Sequence, residues 1–328
     1  MRFWWVNQNQ TWRHEIAGGY LWSPKRKTNG QINPFYESMR EVAPGDIVLS
    51  FRDTLIAAIG IAQSNCYESP KPTEFGSVGK AWSIIGWKVD VRFQDLARKI
   101  RPKDEMELLR PHLPIKYSPL SSAGDGSQSV YLTEIPAGMF KALTAIIGEE
   151  ADLLVKAADS LVADPRQILP AEDAAVWEEH LHDQIVTDVS LMETERTALV
   201  LSRRGQGLFR QRVSLIESSC RVTGVSNPEH LRASHCKPWR DSNNAERLDG
   251  ENGLLLTPNI DHLFDRGFIS FEDSGTLIVS PVAHTESLSR MGLRTDQVTH
   301  VGSFSSGQKA YLQYHRDSVL LRATRIKN

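Results

Sequence analysis

The sequence predicts an α+β chain of two domains joined by a helical connector. Three observations point there. At 328 residues the chain is long enough for two cores, taking about 150 residues per domain as a guide. Its first 148 residues set short apolar runs between turn signals, the pattern of a curved sheet. Residues 149–202 then change to helical spacing before a mixed segment closes the chain. A composition of 40% hydrophobic and 24% charged residues suits a globular protein and excludes a disordered or fibrous one.

In chain order, residues 3–6, 46–51, 56–62 and 84–93 read as strands, punctuated by Pro44-Gly45-Asp46 and Gly124-Asp125-Gly126. Trp87 alternates with Val89 and Val91 and belongs to the core face of its strand. On the first strand one of Trp4 and Trp5 has to face inward, which leaves the other free to point out. Residues 1–148 form the first domain. Leu153, Leu154, Ala157 and Leu161 repeat at helical intervals in 149–202, a helical acidic linker interrupted by Pro165 and Pro170. Residues 203–328 open with a helix over 208–216, and their tail from 280 carries no motif, fitted equally to pack on this domain or to serve a dimer.

No apolar run approaches the roughly 18 residues of a membrane span, and the opening Met-Arg-Phe-Trp-Trp is no signal peptide. Cys66, Cys220 and Cys236 are too few and too scattered for a disulfide framework or a four-cysteine zinc site. A cytoplasmic location without a membrane partner is expected. The net charge of −2 hides a segregation: eleven Asp/Glu against three Lys/Arg over residues 151–202, then nine Lys/Arg against five Asp/Glu over 203–249. Taken alone this describes two helix faces of opposite sign. Beside the motif that follows it also suits a nucleic-acid surface.

That motif runs from Cys220 to Phe271. His235, Asn252 and Asp261 follow at intervals of 17 and 9, and Asp265 stands four further on, one helical turn from Asp261. The set suits phosphodiester hydrolysis. A neutral imidazole can take the proton of an attacking water. A hard cation on carboxylate oxygen can stabilise charge at phosphorus. An asparagine amide can hydrogen-bond the backbone across a loop and hold the imidazole. A lone buried histidine is more often a satisfied core residue, but the spaced set argues against that reading.

The stretch resembles an HNH endonuclease with a ββα-metal fold, of the subtype C-x-x-T-G, A-S-H-x-K-P-W, N-G-L-L-L, D-x-L-F-D-R-G, with RRGQGLFRQR upstream. The resemblance implies His235 as general base, Asn252 as the loop-fixing residue and Asp261 as ligand of a divalent metal, Mg²⁺ or Mn²⁺. Asp265 becomes a second ligand or a carboxylate behind the first. Ser234 stands where many such enzymes carry a ligating Asp or His. Cys220 and Cys236 read as small buried residues, and His262, beside Asp261, as pointing elsewhere. Arg203, Arg204, Arg210, Arg212 and Lys237 are the candidates for phosphate contact, each against the alternative of solvated surface.

The first domain holds most of the tryptophans. Its motifs FWWVNQNQTW, GYLWSPKR, PGDIVLSFRDTLIAAIGIA and GWKVDVRF resemble an EVE domain of the PUA superfamily, a curved β-barrel with helices related to readers of methylated adenine in RNA. The resemblance implies an aromatic pocket for a flipped modified base, with Trp22 stacking, Phe51 as a second wall, and Asn7 and Asp53 at the base edge. Tyr67, Phe75 and Tyr117 are further wall candidates, and Lys25, Arg26 and Lys27 are candidates for backbone phosphates. Together the two resemblances imply an EVE-HNH, type IV-like restriction endonuclease of the bacterial cytoplasm. It reads 5-hydroxymethylcytosine or 5-methylcytosine in double-stranded DNA, defends against modified phage DNA, and cuts both strands as a homodimer. The alternatives are a nuclease whose N-terminal domain reads modified RNA or tRNA and a modified-base binding protein with a degenerate nuclease domain.

Overall fold

The computed structural model describes residues 1–127, 130–164, 168, 172–188 and 190–321, with backbone alone for 172–178. The interruption expected at Pro165 and Pro170 lies outside the described residues. The chain divides into two compact units, Met1–Ala174 and Ala175–Ala323.

The first unit is built on β1 (Phe3–Asn7), β2 (Tyr20–Pro24), β3 (Ile47–Arg52), β4 (Leu55–Ala62), β5 (Tyr67–Pro70), β6 (Ile85–Ile100) and β7 (Leu132–Glu134). They form one curled sheet in the order β2-β6-β4-β3-β1-β7, with β5 also on β6. Only β1 and β3 run parallel. The curl follows from the 16 residues of β6, whose first part pairs with β2 and β5 and whose second part pairs with β4. β6 outruns the expected 84–93 because past Phe93 only Leu96 and Ile100 are buried, so the apolar pattern fades while the ladder to β4 continues. The β3–β4 hairpin closes through Asp53 and Thr54, at φ 48° and 70°, the left-handed pair that a two-residue turn between twisted strands requires.

Trp4 and Trp5 are both buried, against the expectation that one was free to point out. β1 is an inner strand, between β3 and β7, and both its faces are covered. Trp5 joins the main core; the Trp4 indole N–H donates to Asp46 (2.9 Å) beneath the Arg2 guanidinium. Trp87 is in the core as expected. Helices α1 (Trp12–Gly18), α2 (Pro34–Glu37) and α3 (Met106–Leu109) edge the sheet sequence, and α4 (Ala137–Ile147) and α5 (Glu149–Ala163) complete the unit. Leu154, Ala158 and Leu161 of α5 pack into the sheet core with Met139 and Leu143 of α4. The stretch 149–202 is thus divided: its first helix belongs to this core, while α6 (Glu172–Thr187) and α7 (Glu193–Arg203) supply Ile185 and Leu199 to a cluster around Trp239 of the second unit.

The second unit holds α8 (Gly207–Ser214), close to the helix expected over 208–216, then β8 (Arg232–His235), α9 (Asn244–Arg247), β9 (Gly253–Leu256) and α10 (Pro258–Asp265). β8 and β9 pair antiparallel and α10 follows at once, a ββα frame. Two helix starts are written in the sequence: Asn243 and Glu246 form a capping box on α9, and Pro258 opens α10. A hairpin of β10 (Ile269–Phe271) and β11 (Leu277–Val279), α11 (Thr285–Arg290) and α12 (Ser306–Ser318) complete the unit. The described part of the motif-less tail, 280–321, is integral to it. Leu312 of α12 is in the core, and His315 stacks on Phe264 at 3.8 Å while its Nε2 lies 3.0 Å from that residue's carbonyl. Among the described residues no helix is long and apolar enough to cross a membrane.

Candidate active site and candidate base-binding cavity

β8 ends on His235, opposite Gly253 of β9. The imidazole lies flat on Phe209 of α8, centroids 3.7 Å apart and planes 2° apart. Gly253 permits this: a Cβ there would stand 2.3 Å from Val213 and 2.9 Å from the Phe209 ring. His235 Nε2 sits 3.0 Å from the Arg247 carbonyl. A carbonyl only accepts, so Nε2 carries the hydrogen and Nδ1 the lone pair. Nδ1 makes no hydrogen bond with the described residues. Burial lowers the pKa to about 4; the Arg247 carbonyl opposes the shift and the Arg247 charge adds to it. At neutral pH the ring is an uncharged base with its free nitrogen fixed in position.

Asn252 is fully buried and ties the 236–252 loop together. Its Oδ1 accepts from the Lys237 N–H (2.7 Å), and Nδ2 donates to the carbonyls of Lys237 (3.2 Å) and Glu246 (3.0 Å). The Glu246 carbonyl adjoins Arg247, whose own carbonyl orients His235, so the amide acts on the imidazole through one peptide.

α10 brings Asp261 and Asp265 to the same side. The Ser234 hydroxyl donates to Asp265 Oδ1 (3.4 Å) and lies beside Asp261, whose charged form it favours. Asp261 is buried, with Arg232 3.4 Å away, and Asp265 is exposed. Burial pushes the Asp261 carboxyl up, opposed by Ser234 and Arg232. Two carboxylates around a hydroxyl offer only hard oxygen donors, which fits Mg²⁺ or Mn²⁺. Cys220 and Cys236 are buried and unpaired. Among the described residues the one group of three close enough to share an ion is Glu179, His182 and Asp183, which contains none of the expected ligands.

The phosphate candidates separate by what they touch. Arg204 is exposed and makes no side-chain hydrogen bond or ion pair with the described residues. Arg210 is committed to the carbonyls of Leu231 (2.7 Å) and Pro228 (2.6 Å), and Arg212 to that of Leu248 (2.8 Å). Arg203 pairs with Glu179 (3.0 Å), and the Lys237 ammonium is neutralised by Glu246 (2.7 Å).

The first unit holds a half-open cavity of about 290 Å³ whose lining includes Trp22, Ser23, Phe51, Trp82 and Tyr131. Trp22 comes from β2, and Gly86 on the paired β6 leaves room for its ring: a Cβ there would lie 2.4 Å from the indole. The Trp22 and Trp82 rings are nearly parallel, centroids 6.1 Å and planes 26° apart. A base sandwiched between two rings needs them separated by about 6.8 Å, twice the stacking spacing of about 3.4 Å, so this pair has to part by about 0.7 Å to admit one. The Ser23 hydroxyl is buried without a hydrogen-bond partner among the described residues, an unmet group of the kind a ligand satisfies.

Four residues expected here fare differently. Trp22 and Phe51 line the cavity. Asn7 lines it too, but both amide hydrogens go to the carbonyls of Ser127 (3.0 Å) and Val130 (2.9 Å), and its oxygen accepts from Trp5 (2.8 Å), so it braces the wall. Asp53 does not line the cavity: it sits in the hairpin turn, paired with Arg52 (2.6 Å). Phase in the sequence could not place it, because the turn's left-handed pair redirects the chain. Of the further wall candidates, Phe75 backs Trp22 edge-on, while Tyr67 bonds Asp90 and Tyr117 packs on Phe35 away from the lining. Lys25 pairs with Glu68 over Trp87; the side chains of Arg26 and Lys27 make no ion pair with the described residues. Trp82, Ser23, Tyr36 and Tyr131 are the additions. Trp82 gave a signal, an aromatic in a glycine-punctuated loop before β6, without a partner in the sequence to pair it with.

The family described as HNH endonuclease (HNH_2) matches residues 220–272. No curated protein matches the chain. Among solved structures, a Pseudomonas putida protein is 13% identical over 44% of this chain and 99% of its own, with a TM-score of 0.32. The YTH domain of Zygosaccharomyces rouxii MRB1, in complex with N6-methyladenosine RNA, is 17% identical over 44% of this chain and 86% of its own, with a TM-score of 0.29. Human THYN1, in complex with DNA containing 5-methylcytosine, is 12% identical over 45% of this chain and 99% of its own, with a TM-score of 0.29. With the ββα frame, the oriented imidazole and the family match falling on the same residues, the second unit carries an HNH endonuclease domain at 220–272.

Proposed function

We propose that the protein is a modification-dependent DNA endonuclease. The first unit takes a flipped, modified cytosine into its cavity, and the HNH domain hydrolyses the phosphodiester backbone. The observation that carries the reading is the free Nδ1 of a neutral, Nε2-anchored His235 in a chain that also holds an aromatic cavity. His235 Nδ1 accepts the proton of a water attacking phosphorus; the new P–O bond forms as the bond to the leaving oxygen breaks. Asn252 holds the loop, and with it the Arg247 carbonyl, so that the imidazole keeps this aim. Asp261 and Asp265 would hold the divalent ion, which when bound supplies positive charge at the phosphate and the leaving group.

Extruding a base costs a few kcal/mol, and stacking offsets it by about 1–3 kcal/mol per base. Trp22 and Trp82 supply two such faces. Methyl or hydroxymethyl at the 5-position distinguishes the intended base from ordinary cytosine, which suits defence against modified phage DNA in a bacterial cytoplasm. One active site cuts one strand, so double-strand cleavage calls for two protomers.

The test uses one phage genome in three forms: unmodified, 5-methylcytosine and 5-hydroxymethylcytosine. Each is incubated with the protein and Mg²⁺ or Mn²⁺, with a chelator control. Metal-dependent cutting confined to a modified genome is expected. Equal cutting of all three removes the cytosine reader, and a gel shift on modified DNA without cutting replaces the nuclease by a binding protein.

A further inference from the structure

Glu15 of α1 is completely buried, yet no cation among the described residues neutralises it and no sequence motif singles it out. Four donors converge on its carboxylate. Thr11 Oγ1 (2.6 Å) and Gln8 Nε2 (2.9 Å) donate to Oε2; the Tyr131 hydroxyl (2.6 Å) and the Trp22 N–H (2.8 Å) donate to Oε1. Gln8, Thr11, Trp22 and Tyr131 all line the cavity, whereas Glu15 itself does not. One buried anion thus stands behind four residues of the wall.

We infer that Glu15 sets the hydrogen-bonding polarity of this cavity, so that it accepts a nucleobase bearing an exocyclic amine and disfavours one bearing a carbonyl at that position. The inference rests on reading the cavity as a base pocket. A carboxylate has no hydrogen to give. Thr11 and Tyr131 each have one hydroxyl hydrogen, and both hydrogens lie on Glu15. What the two oxygens keep for a ligand is lone pairs; the Tyr131 oxygen already accepts from the Trp22 N–H (3.1 Å), which it shares with Glu15, and has one left. Two fixed acceptors held by one carboxylate match an amine, which carries two hydrogens on one nitrogen. A base with a carbonyl there offers lone pairs against lone pairs and leaves buried groups unpaired, the arrangement a polar site rejects most strongly.

The rest of the network keeps the donors from turning. Gln8 cannot offer Glu15 its oxygen, because that atom accepts from the Ser50 hydroxyl (2.7 Å), which in turn accepts from Trp12 Nε1 (3.1 Å). Trp22 holds its place through the same carboxylate, so the stacking ring and the polar wall share one anchor. Burial pushes the Glu15 carboxyl above its usual range, and Thr11, Tyr131, Trp22 and Gln8 oppose the shift. The ionised form alone satisfies all four donors at once.

Glu15→Gln keeps the shape but introduces a donor. That amide must give a hydrogen to Thr11 or Tyr131, turning a hydroxyl hydrogen toward the cavity. The assay compares binding of the full chain to single-stranded oligonucleotides carrying 5-hydroxymethylcytosine or 5-hydroxymethyluracil at one position. These probes differ in presenting an amine or a carbonyl, and single strands equalise the cost of unpairing. The wild type is expected to prefer 5-hydroxymethylcytosine by about tenfold, and Glu15→Gln to bring the ratio near one with the thermal midpoint within a few degrees. Equal weakening toward both probes at an unchanged ratio overturns the inference and leaves Glu15 a structural residue. Tyr131→Phe, which deletes one of the two acceptors, serves if Glu15→Gln does not fold, and an unchanged ratio in it overturns the inference equally. A wild type that binds neither probe better than unmodified cytosine overturns the base pocket itself, a result distinct from a preserved ratio.

Discussion

His235 and Glu15 are the two ionisable groups at the heart of the two units, and burial treats them in opposite ways. It lowers the histidine and raises the carboxyl, because the charged form is disfavoured in each case. The surroundings then differ. One carbonyl anchors His235 and leaves Nδ1 free for chemistry. Four donors enclose Glu15 and leave it nothing to react with. A buried titratable group with an unused atom is equipped to transfer a proton, while one with every atom engaged is equipped to hold others in place.

The largest effect that separates the two units is expected from His235→Ala, which should reduce cleavage by about 10²–10⁴-fold while modified-DNA binding in a gel shift stays intact. Loss of binding together with cutting would mean that His235 supports more than the reaction. Asp261→Asn removes a hard ligand charge; cleavage should then require more Mg²⁺ or Mn²⁺ or disappear, read from a metal titration. In the first unit, Trp82→Ala should weaken binding to the modified base by about 5- to 150-fold, the equivalent of one stacking face, with no change in residual cutting of unmodified DNA.

The acid response sharpens the contrast. The folded value for His235, about 4, lies below its ordinary 6.5. The unfolded chain therefore binds the proton first as pH falls. His235 contributes its full share of stability above about pH 6.5 and loses it toward pH 4, by on the order of 3 kcal/mol. Urea midpoints at pH 7 and 4.5 should diverge more in the wild type than in His235→Gln. The smallest effect concerns the exposed cations. Arg204→Ala should lower the salt dependence of DNA binding by about one unit of slope, whereas Lys237→Ala should leave it unchanged because Glu246 already neutralises that ammonium.

The two units also differ in how much of them the sequence disclosed. His235, Asn252 and Asp261 lie in one continuous stretch whose intervals match a ββα frame, so local spacing carried the geometry. The cavity wall comes from Gln8, Trp22, Phe51, Trp82 and Tyr131, brought together by sheet pairings that no local period encodes. Trp22 and Phe51 were legible only through the resemblance to an EVE domain, which implies them as pocket walls. Asp53 was misplaced because polar type gave no information on the hairpin's direction. Arg210 and Lys237 were legible as cations, but their partners, a pair of distant carbonyls and Glu246, emerge only on folding. The core of α5 was masked by its acidic outer face: of the repeat Leu153, Leu154, Ala157 and Leu161, Leu154 and Leu161 are buried together with Ala158, while Leu153 is exposed.

Phe209 lies outside the residues that define the nuclease family match, as does α12, yet one covers the His235 ring and the other reaches the turn beside Asn252 through Tyr311 and Asp249 (2.8 Å). The recognisable motif is therefore smaller than the transplantable part. A chimeric nuclease assembled from 220–272 alone would leave the imidazole uncovered and free to protonate near neutrality, so a working graft has to begin before α8 and extend through α12.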